Sequence, residues 1–188
     1  MKIINNKTVT VSTGDELKNV LENNNGYEYI YLEDDITLKS GIRINSNKSN
    51  ITINGTYQNT IHTLTGMDSS EELDTISTTA LTKQVKIINM KIINTNIYGI
   101  ICVPEDDSYE EIVTIYDNII FNGTQLSFNP YGTVKITNSV INIEDTNGIK
   151  SQEVCEAERV IIGGKTNISS SSSDFQLFAF RSDSTNPY

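Results

Sequence analysis

Tryptophan is absent from this 188-residue chain, histidine occurs once, cysteine twice and proline three times. A single histidine, His62, excludes a His pair or a multi-His metal site. No Ser-His-Asp constellation, phosphate loop or zinc spacing is present, so His62 reads as structural. Cys102 and Cys155 lie far apart and form no metal-ligand pattern. Cys102 sits in the apolar run Ile100-Ile101-Cys102-Val103 and reads as a buried thiol, and nothing in the spacing calls for a disulfide. Basic residues are scarce: 14 Lys and Arg face 24 Asp and Glu, for a net charge of −10. An acidic surface repels phosphate backbones and anionic lipid, so nucleic acid is not an expected partner. No stretch approaches the roughly 20 apolar residues of a membrane helix, so no membrane insertion is expected. Residues 1–10 carry no apolar signal stretch. Long helical periodicity is missing too, which argues against a helical protein.

What is present is a motif in five copies: Ile51-Thr52-Ile53-Asn54-Gly55, Val85-Lys86-Ile87-Ile88-Asn89, Val113-Thr114-Ile115-Tyr116-Asp117, Val134-Lys135-Ile136-Thr137-Asn138 and Val160-Ile161-Ile162-Gly163-Gly164. Positions one and three share one face of a strand, because side chains alternate with period two. Position five holds Asn, Asp or Gly, the residues that most readily adopt a left-handed backbone. The copies start at 51, 85, 113, 134 and 160, a spacing that fits stacked structural repeats. This predicts an all-β chain, a parallel β-helix (solenoid) with coils about 4.8 Å apart. Ile and Val at positions one and three would stack inside, and Asn89, Asp117 and Asn138 would stack at a corner. The competing fold is a β-sandwich of hairpins, for which Asn54-Gly55, Asn122-Gly123 and Asn147-Gly148 supply turns. A sandwich gives no reason for a motif recurring in phase.

A short strand at residues 8–11 precedes Thr13-Gly14-Asp15-Glu16, a capping-box pattern that opens a helix within residues 12–24. Leu17, Val20 and Leu21 form its apolar stripe, and Asn23-Asn24-Asn25-Gly26 ends it. Such a helix would cap the first coil. The whole chain, 1–188, then reads as one domain: cap helix 12–24, coils 27–180, tail 181–188. Ile30, Leu32, Ile36, Leu38, Ile42 and Ile44 face inward in the first coil, with a turn at Glu33-Asp34-Asp35. Residues 68–74 and 104–111 read as acidic loops. Residues 151–158 read as helical or as strand and loop within a coil. The serine run at 169–173 reads as a flexible tip. Phe175, Leu177, Phe178 and Phe180 form a closing apolar cluster. No C-terminal counterpart of the cap helix is visible, which predicts a piece of a longer protein or a last coil covered by another chain.

The segments Val11-Ser12-Thr13-Gly14-Asp15-Glu16-Leu17, Tyr29-Ile30-Tyr31-Leu32-Glu33-Asp34-Asp35-Ile36-Thr37-Leu38 and Asn50-Ile51-Thr52-Ile53-Asn54-Gly55 carry a resemblance. So do Gln152-Glu153-Val154-Cys155-Glu156-Ala157 and Val160-Ile161-Ile162-Gly163-Gly164. Together they resemble the pectate-lyase-like right-handed parallel β-helix proteins, and among these the adhesive domains of Gram-positive surface proteins. The resemblance implies the handedness of the coil, an adhesive role, and a bacterial, extracellular or cell-surface location.

Pectate lyases hold calcium with carboxylates, and calcium takes six to eight oxygens. Glu105, Asp106, Asp107, Glu110 and Glu111 form the densest acidic cluster and are the candidate metal site. Calcium is the one cofactor they leave open. Glu33-Asp34-Asp35 falls at a structural turn. Arg43, Arg159 and Arg181 are the only arginines, and outward solvent-facing roles suffice for Arg43 and Arg159. Glycosidase chemistry needs two carboxylates across a groove. The outward motif positions, Thr52, Lys86, Thr114, Lys135 and Ile161, hold none, and no catalytic residue is assigned. The leading expectation is a non-catalytic module that binds a glycan or matrix protein, with Tyr27, Tyr29, Tyr31, Tyr57 and Tyr116 as aromatic faces for sugar stacking. The alternatives are a structural shaft that self-associates end to end, as in phage fibres or spore layers, and a polysaccharide lyase or hydrolase.

Overall fold

The computed structural model describes residues 1–104, 112–145, 153–172 and 175–179. The chain is all-β, as its β-branched, turn-rich composition predicts. Among the described residues sixteen strands join one sheet and two more form a separate hairpin.

The strands gather into three parallel stacks. The first holds Thr8–Val11, Tyr29–Leu32 and Asn50–Asn54, then residues 84–88, 113–117, 133–137 and 159–163. The second holds Ile36–Thr37, Thr63–Thr65, residues 90–94 and 119–123, Val140–Ile143 and Asn167–Ser170. The third holds Ile42–Arg43, Ile76–Ser77, Ile101–Cys102, residues 127–129 and 155–157, and Phe178–Ala179. Parallel pairing between successive motif copies rules out a sandwich of hairpins, because parallel neighbours need long connections. Asn122 and Gly123 lie inside a strand rather than in a turn, and Asn147-Gly148 lies outside the described residues.

The motif's inward positions are buried in three copies. Ile51, Ile53, Val85, Ile87, Val134 and Ile136 are all at most 1% exposed. The third copy corrects the sequence reading: Val85 pairs with Thr114 and Ile87 with Tyr116. Thr114 and Tyr116 therefore point inward, both fully buried, while Val113 and Ile115 point outward. The cause is the corner. Asn89, Asn118 and Asn138 adopt φ of 54°, 54° and 52°, and Gly164 adopts 61° in the same column. Asp117-Asn118 offers two residues that suit a left-handed corner, and the chain uses the second. A shift of one residue turns every side chain to the other face. Tyr116 fills the inside and donates from its hydroxyl to the Leu126 carbonyl at 3.3 Å.

The polar corner ladder forms, with Asn118 in the place expected of Asp117. Asn118 Nδ2 donates to Asn89 Oδ1 (2.9 Å), and Asn89 Nδ2 donates to Asn54 Oδ1 (3.2 Å). Asn138 Nδ2 donates to Asp117 Oδ1 at 2.9 Å, so Asp117 braces the ladder from one residue away. The serine run is also corrected: Ser169 and Ser170 belong to the strand Asn167–Ser170. Ser169 Oγ donates to Asn142 Oδ1 (2.7 Å), and Asn142 Nδ2 donates to Asn122 Oδ1 (2.9 Å), a second ladder that orders the serines. Residues 155–158 are strand, not helix.

The helix α1, Gly14–Glu22, forms as its cap predicts: Glu16 N donates to Thr13 Oγ1 at 3.2 Å, and Ser12 N donates to Glu16 Oε2 at 2.8 Å. Leu17, Val20 and Leu21 are fully buried in the main core, which also holds Val9 and Ile30. The strand Lys2–Ile3 pairs antiparallel with Thr8–Val11 and covers the outer edge of the first stack. At the far end, Ile162 pairs with Ile136 yet stays 43% exposed. Phe175 and Phe178 pack half-buried on the core and Leu177 is exposed, while Phe180 lies outside the described residues.

Candidate binding site

Alternation along Tyr29–Leu32 turns Ile30 and Leu32 into the core and leaves Tyr29 and Tyr31 half-exposed on the outer face. A hairpin adds a third tyrosine. Thr56–Tyr57 and Thr60–Ile61 pair antiparallel, with Gln58 (φ 48°) and Asn59 (φ 66°) as the two turn residues. Two consecutive positive φ values match the right-handed twist of a hairpin, which is why so short a loop closes here. The hairpin brings Tyr57 to Tyr31, with ring centroids 5.8 Å apart and planes tilted by 54°. Tyr31 and Tyr29 stand 5.0 Å apart at 51°.

The three rings wall an open hollow of about 500 Å³. Ile4, Asn5 and Thr8 close it on the N-terminal side, and Thr56 and Gln58 on the hairpin side. The corner ladder anchors the Tyr29 ring. Asn54 Nδ2 donates to the Tyr29 hydroxyl at 3.0 Å, while Asn54 Oδ1 accepts from Thr56 N at 3.0 Å and from Asn89. Gly55 is required between them, because a Cβ there would sit 2.1 Å from Met90 Cβ. Burial, with Tyr29 alongside, raises the Tyr31 pKa, so its hydroxyl stays protonated and able to donate. An amphipathic wall of phenol rings with amide and hydroxyl rims suits ligands with both apolar faces and hydroxyl edges.

Of the five tyrosines expected to offer aromatic faces, these three come together. Tyr27 packs half-buried against the core, and its carbonyl accepts from Lys48 Nζ at 2.7 Å. Tyr116 is fully buried and offers no face. The hairpin that completes the site carried a weak signal in the sequence, since Gln-Asn is not among the strong two-residue turn pairs.

Four of the five expected outward positions are confirmed: Thr52, Lys86, Lys135 and Ile161 stand in one column behind Tyr29, with Ile115 replacing Thr114. The neighbouring column runs Tyr31, Asn54, Ile88, Asp117, Thr137 and Gly163. Thr137 Oγ1 (2.7 Å) and Asn138 Nδ2 (2.9 Å) both donate to Asp117 Oδ1 and hold its carboxyl below the usual range, helped by Lys86 and Lys135. Asp117 and Tyr31 are three strand spacings apart, about 14 Å, and Glu33 lies beyond Tyr31. Glu33 and Asp117 are thus too far apart for a glycosidase pair, which needs about 5–9.5 Å.

Glu105, Asp106, Asp107, Glu110 and Glu111 lie outside the described residues. Among the described residues no group of three or more His, Cys, Asp or Glu side chains could hold a metal ion. Cys102 and Cys155 are free and buried, and burial pushes both thiols well up, so neither is a nucleophile at neutral pH. His62 Nδ1 stands 3.8 Å from Asp35 Oδ1, while Asp35 also accepts from Thr63 N at 2.7 Å, a turn-bracing arrangement. Among the described residues no helix is long and apolar enough to cross a membrane.

No curated protein and no solved structure matches the chain. A family model described as a pectate lyase-like adhesive domain matches residues 8–155. The three rings, the corner ladder and α1 all fall within that span, with Ile4 and Asn5 of the hollow's rim outside it, and the chain belongs to the pectate lyase-like adhesive domain family.

Proposed function

We infer that the chain is a non-catalytic adhesive module of a bacterial surface or secreted protein, and that it recognises a glycan in the tyrosine-walled hollow. The hollow itself carries this reading: three half-exposed tyrosines in ring contact, one of them held by the side-chain amide of Asn54, surround about 500 Å³ of open space. Half-exposed phenol rings are the groups that stack on sugar faces, and their position on a rigid sheet keeps the ordering cost of binding low. The three parallel stacks support a right-handed parallel β-helix with residues 27–180 as its coils and α1 as its cap, in a single domain spanning 1–188. In that scaffold the hollow sits near the capped end.

The test is binding of the purified protein to arrayed glycans and matrix proteins, with and without calcium. Wild type binds a saccharide, and Tyr31→Ala, which removes the central ring, lowers affinity at least tenfold with the fold intact by circular dichroism. Retained affinity in Tyr31→Ala would place recognition elsewhere. Calcium dependence would direct attention to Glu105, Asp106, Asp107, Glu110 and Glu111.

A second reading, end-to-end assembly, is favoured by one observation: Ile161, Ile162 and Leu177 are 43%, 43% and 48% exposed at the far end of the stacks. Sedimentation at rising concentration separates the two, because a shaft grows with concentration and an adhesive module stays at one mass.

A further inference from the structure

We propose that the tyrosine hollow takes uncharged saccharides and rejects uronic-acid-bearing ones, with Glu33 as the residue that sets the discrimination. This rests on the glycan reading and deepens it.

None of the residues lining the hollow is charged. Its polar groups are the side chains of Asn5, Thr8, Thr56 and Gln58 and the phenol hydroxyls, which both donate and accept, as sugar hydroxyls do. A carboxylate ligand only accepts, and charged or convergent N–H donors bind it best. The cations near the hollow are committed or distant. Lys7 Nζ is paired with Glu28 Oε1 at 2.5 Å. Lys48 is buried and holds Asn25 Oδ1 and the Tyr27 carbonyl, both at 2.7 Å. Lys86 and Lys135 flank Asp117. Lys2 is exposed on the outermost strand, opposite Thr10, and Thr10 in turn pairs with Tyr31. The Lys2 backbone is thus two strand spacings, about 9.6 Å, from that of Tyr31.

A negative charge stands beside the rings. Thr10 pairs with Tyr31 on the ring face, and Thr10 Oγ1 holds Glu33 to that face by donating to Glu33 Oε2 at 2.8 Å. Two residues along a strand is about 6.8 Å, inside the roughly 8 Å screening length of physiological salt. The ring faces add to the effect, because an aromatic face is the negative side of its quadrupole. Anion rejection by a placed like charge is a specificity device that costs a neutral ligand little.

The test uses an array of paired oligosaccharides that share a backbone and differ only in oxidation at C6, galactan against galacturonan and glucan against glucuronan. It is read at low and at high salt for wild type and Glu33→Gln. Hits fall on neutral members, with at least a tenfold preference over their acidic partners. The preference shrinks severalfold in Glu33→Gln and at high salt. Acidic members bound as well as neutral ones would overturn the inference and leave the glycan reading standing. A preference for neutral members that Glu33→Gln does not change would remove Glu33 as its source. Blank arrays for both classes would overturn the glycan reading and the inference together.

Discussion

Ile136 and Ile162 are adjacent rungs of one inward column, paired directly in register, yet Ile136 is fully buried and Ile162 is 43% exposed. Ile30, Ile53, Ile87 and Tyr116 occupy the same column toward the other end and are all fully buried. There, α1 covers the core with Leu17, Val20 and Leu21, and Lys2–Ile3 covers the sheet edge. Among the described residues no element covers Val160 and Ile162 in the same way. The same side chain in the same register therefore has a different worth at the two ends, because in a stack each layer is stabilised by the layers beside it.

The largest effect tests the covered end. Ile53→Ala empties a fully buried position between Ile30 and Ile87. Truncations of this kind cost about 2–5 kcal/mol, transfer and cavity terms together. Urea unfolding should show a midpoint shift of that size without a large change in slope. A cost under about 1 kcal/mol would mean that the column is not packed as described.

The second effect is pH dependence near the less covered end. Glu153 is only 6% exposed, and burial together with the nearby Glu156 pushes its carboxyl up to about 7. Its folded pKa lies above its unfolded value, so the folded state holds a proton that the unfolded chain has released. Stability then falls as pH rises between the ordinary carboxylate pKa and about 7, and is flat above. A shift of this size corresponds to about 3 kcal/mol across that window. Asp117 acts with the opposite sign: its lowered pKa contributes stability that is lost only as pH falls below the usual carboxylate range. Unfolding wild type and Glu153→Gln between pH 5 and 8 isolates the first effect. Wild type weakens over the range and the variant does not, whereas equal slopes would show that Glu153 is not held protonated.

How far the sequence disclosed this follows from what each signal depends on. Alternation and capping are local, so α1, the inward Ile pairs of three motif copies and the outward Tyr29 and Tyr31 were legible. The third copy reads one residue out of register, because Asp117 and Asn118 both suit a left-handed corner and only the neighbouring strands decide between them. The serine run reads as flexible because the Asn122–Asn142–Ser169 ladder that places Ser169 joins residues from three different strands. Tyr57 was visible as an aromatic, but its partnership with Tyr31 depends on a hairpin closed by Gln58 and Asn59, a pair with weak turn preference. The sequence puts Tyr116 on the surface for the same reason that it puts Thr114 outside: the motif's register is one residue off in this copy.

The smallest effect is the most telling for the comparison. Ile162→Ala removes the same atoms as Ile53→Ala from the same column, but the side chain is already 43% exposed. Less apolar surface leaves water on folding, and no closed cavity remains after truncation, so the cavity term falls away. The expected cost is below about 1 kcal/mol, against about 2–5 for a buried isoleucine. Chemical denaturation of the two variants side by side, at one low protein concentration, measures the ratio directly. A small cost that stays small at high concentration fits a far end open to solvent. A cost that grows with concentration toward that of Ile53→Ala would mean that copies cover one another there, since association contributes to apparent stability by mass action. The difference between the two ends would then belong to the isolated chain and would vanish in the assembly.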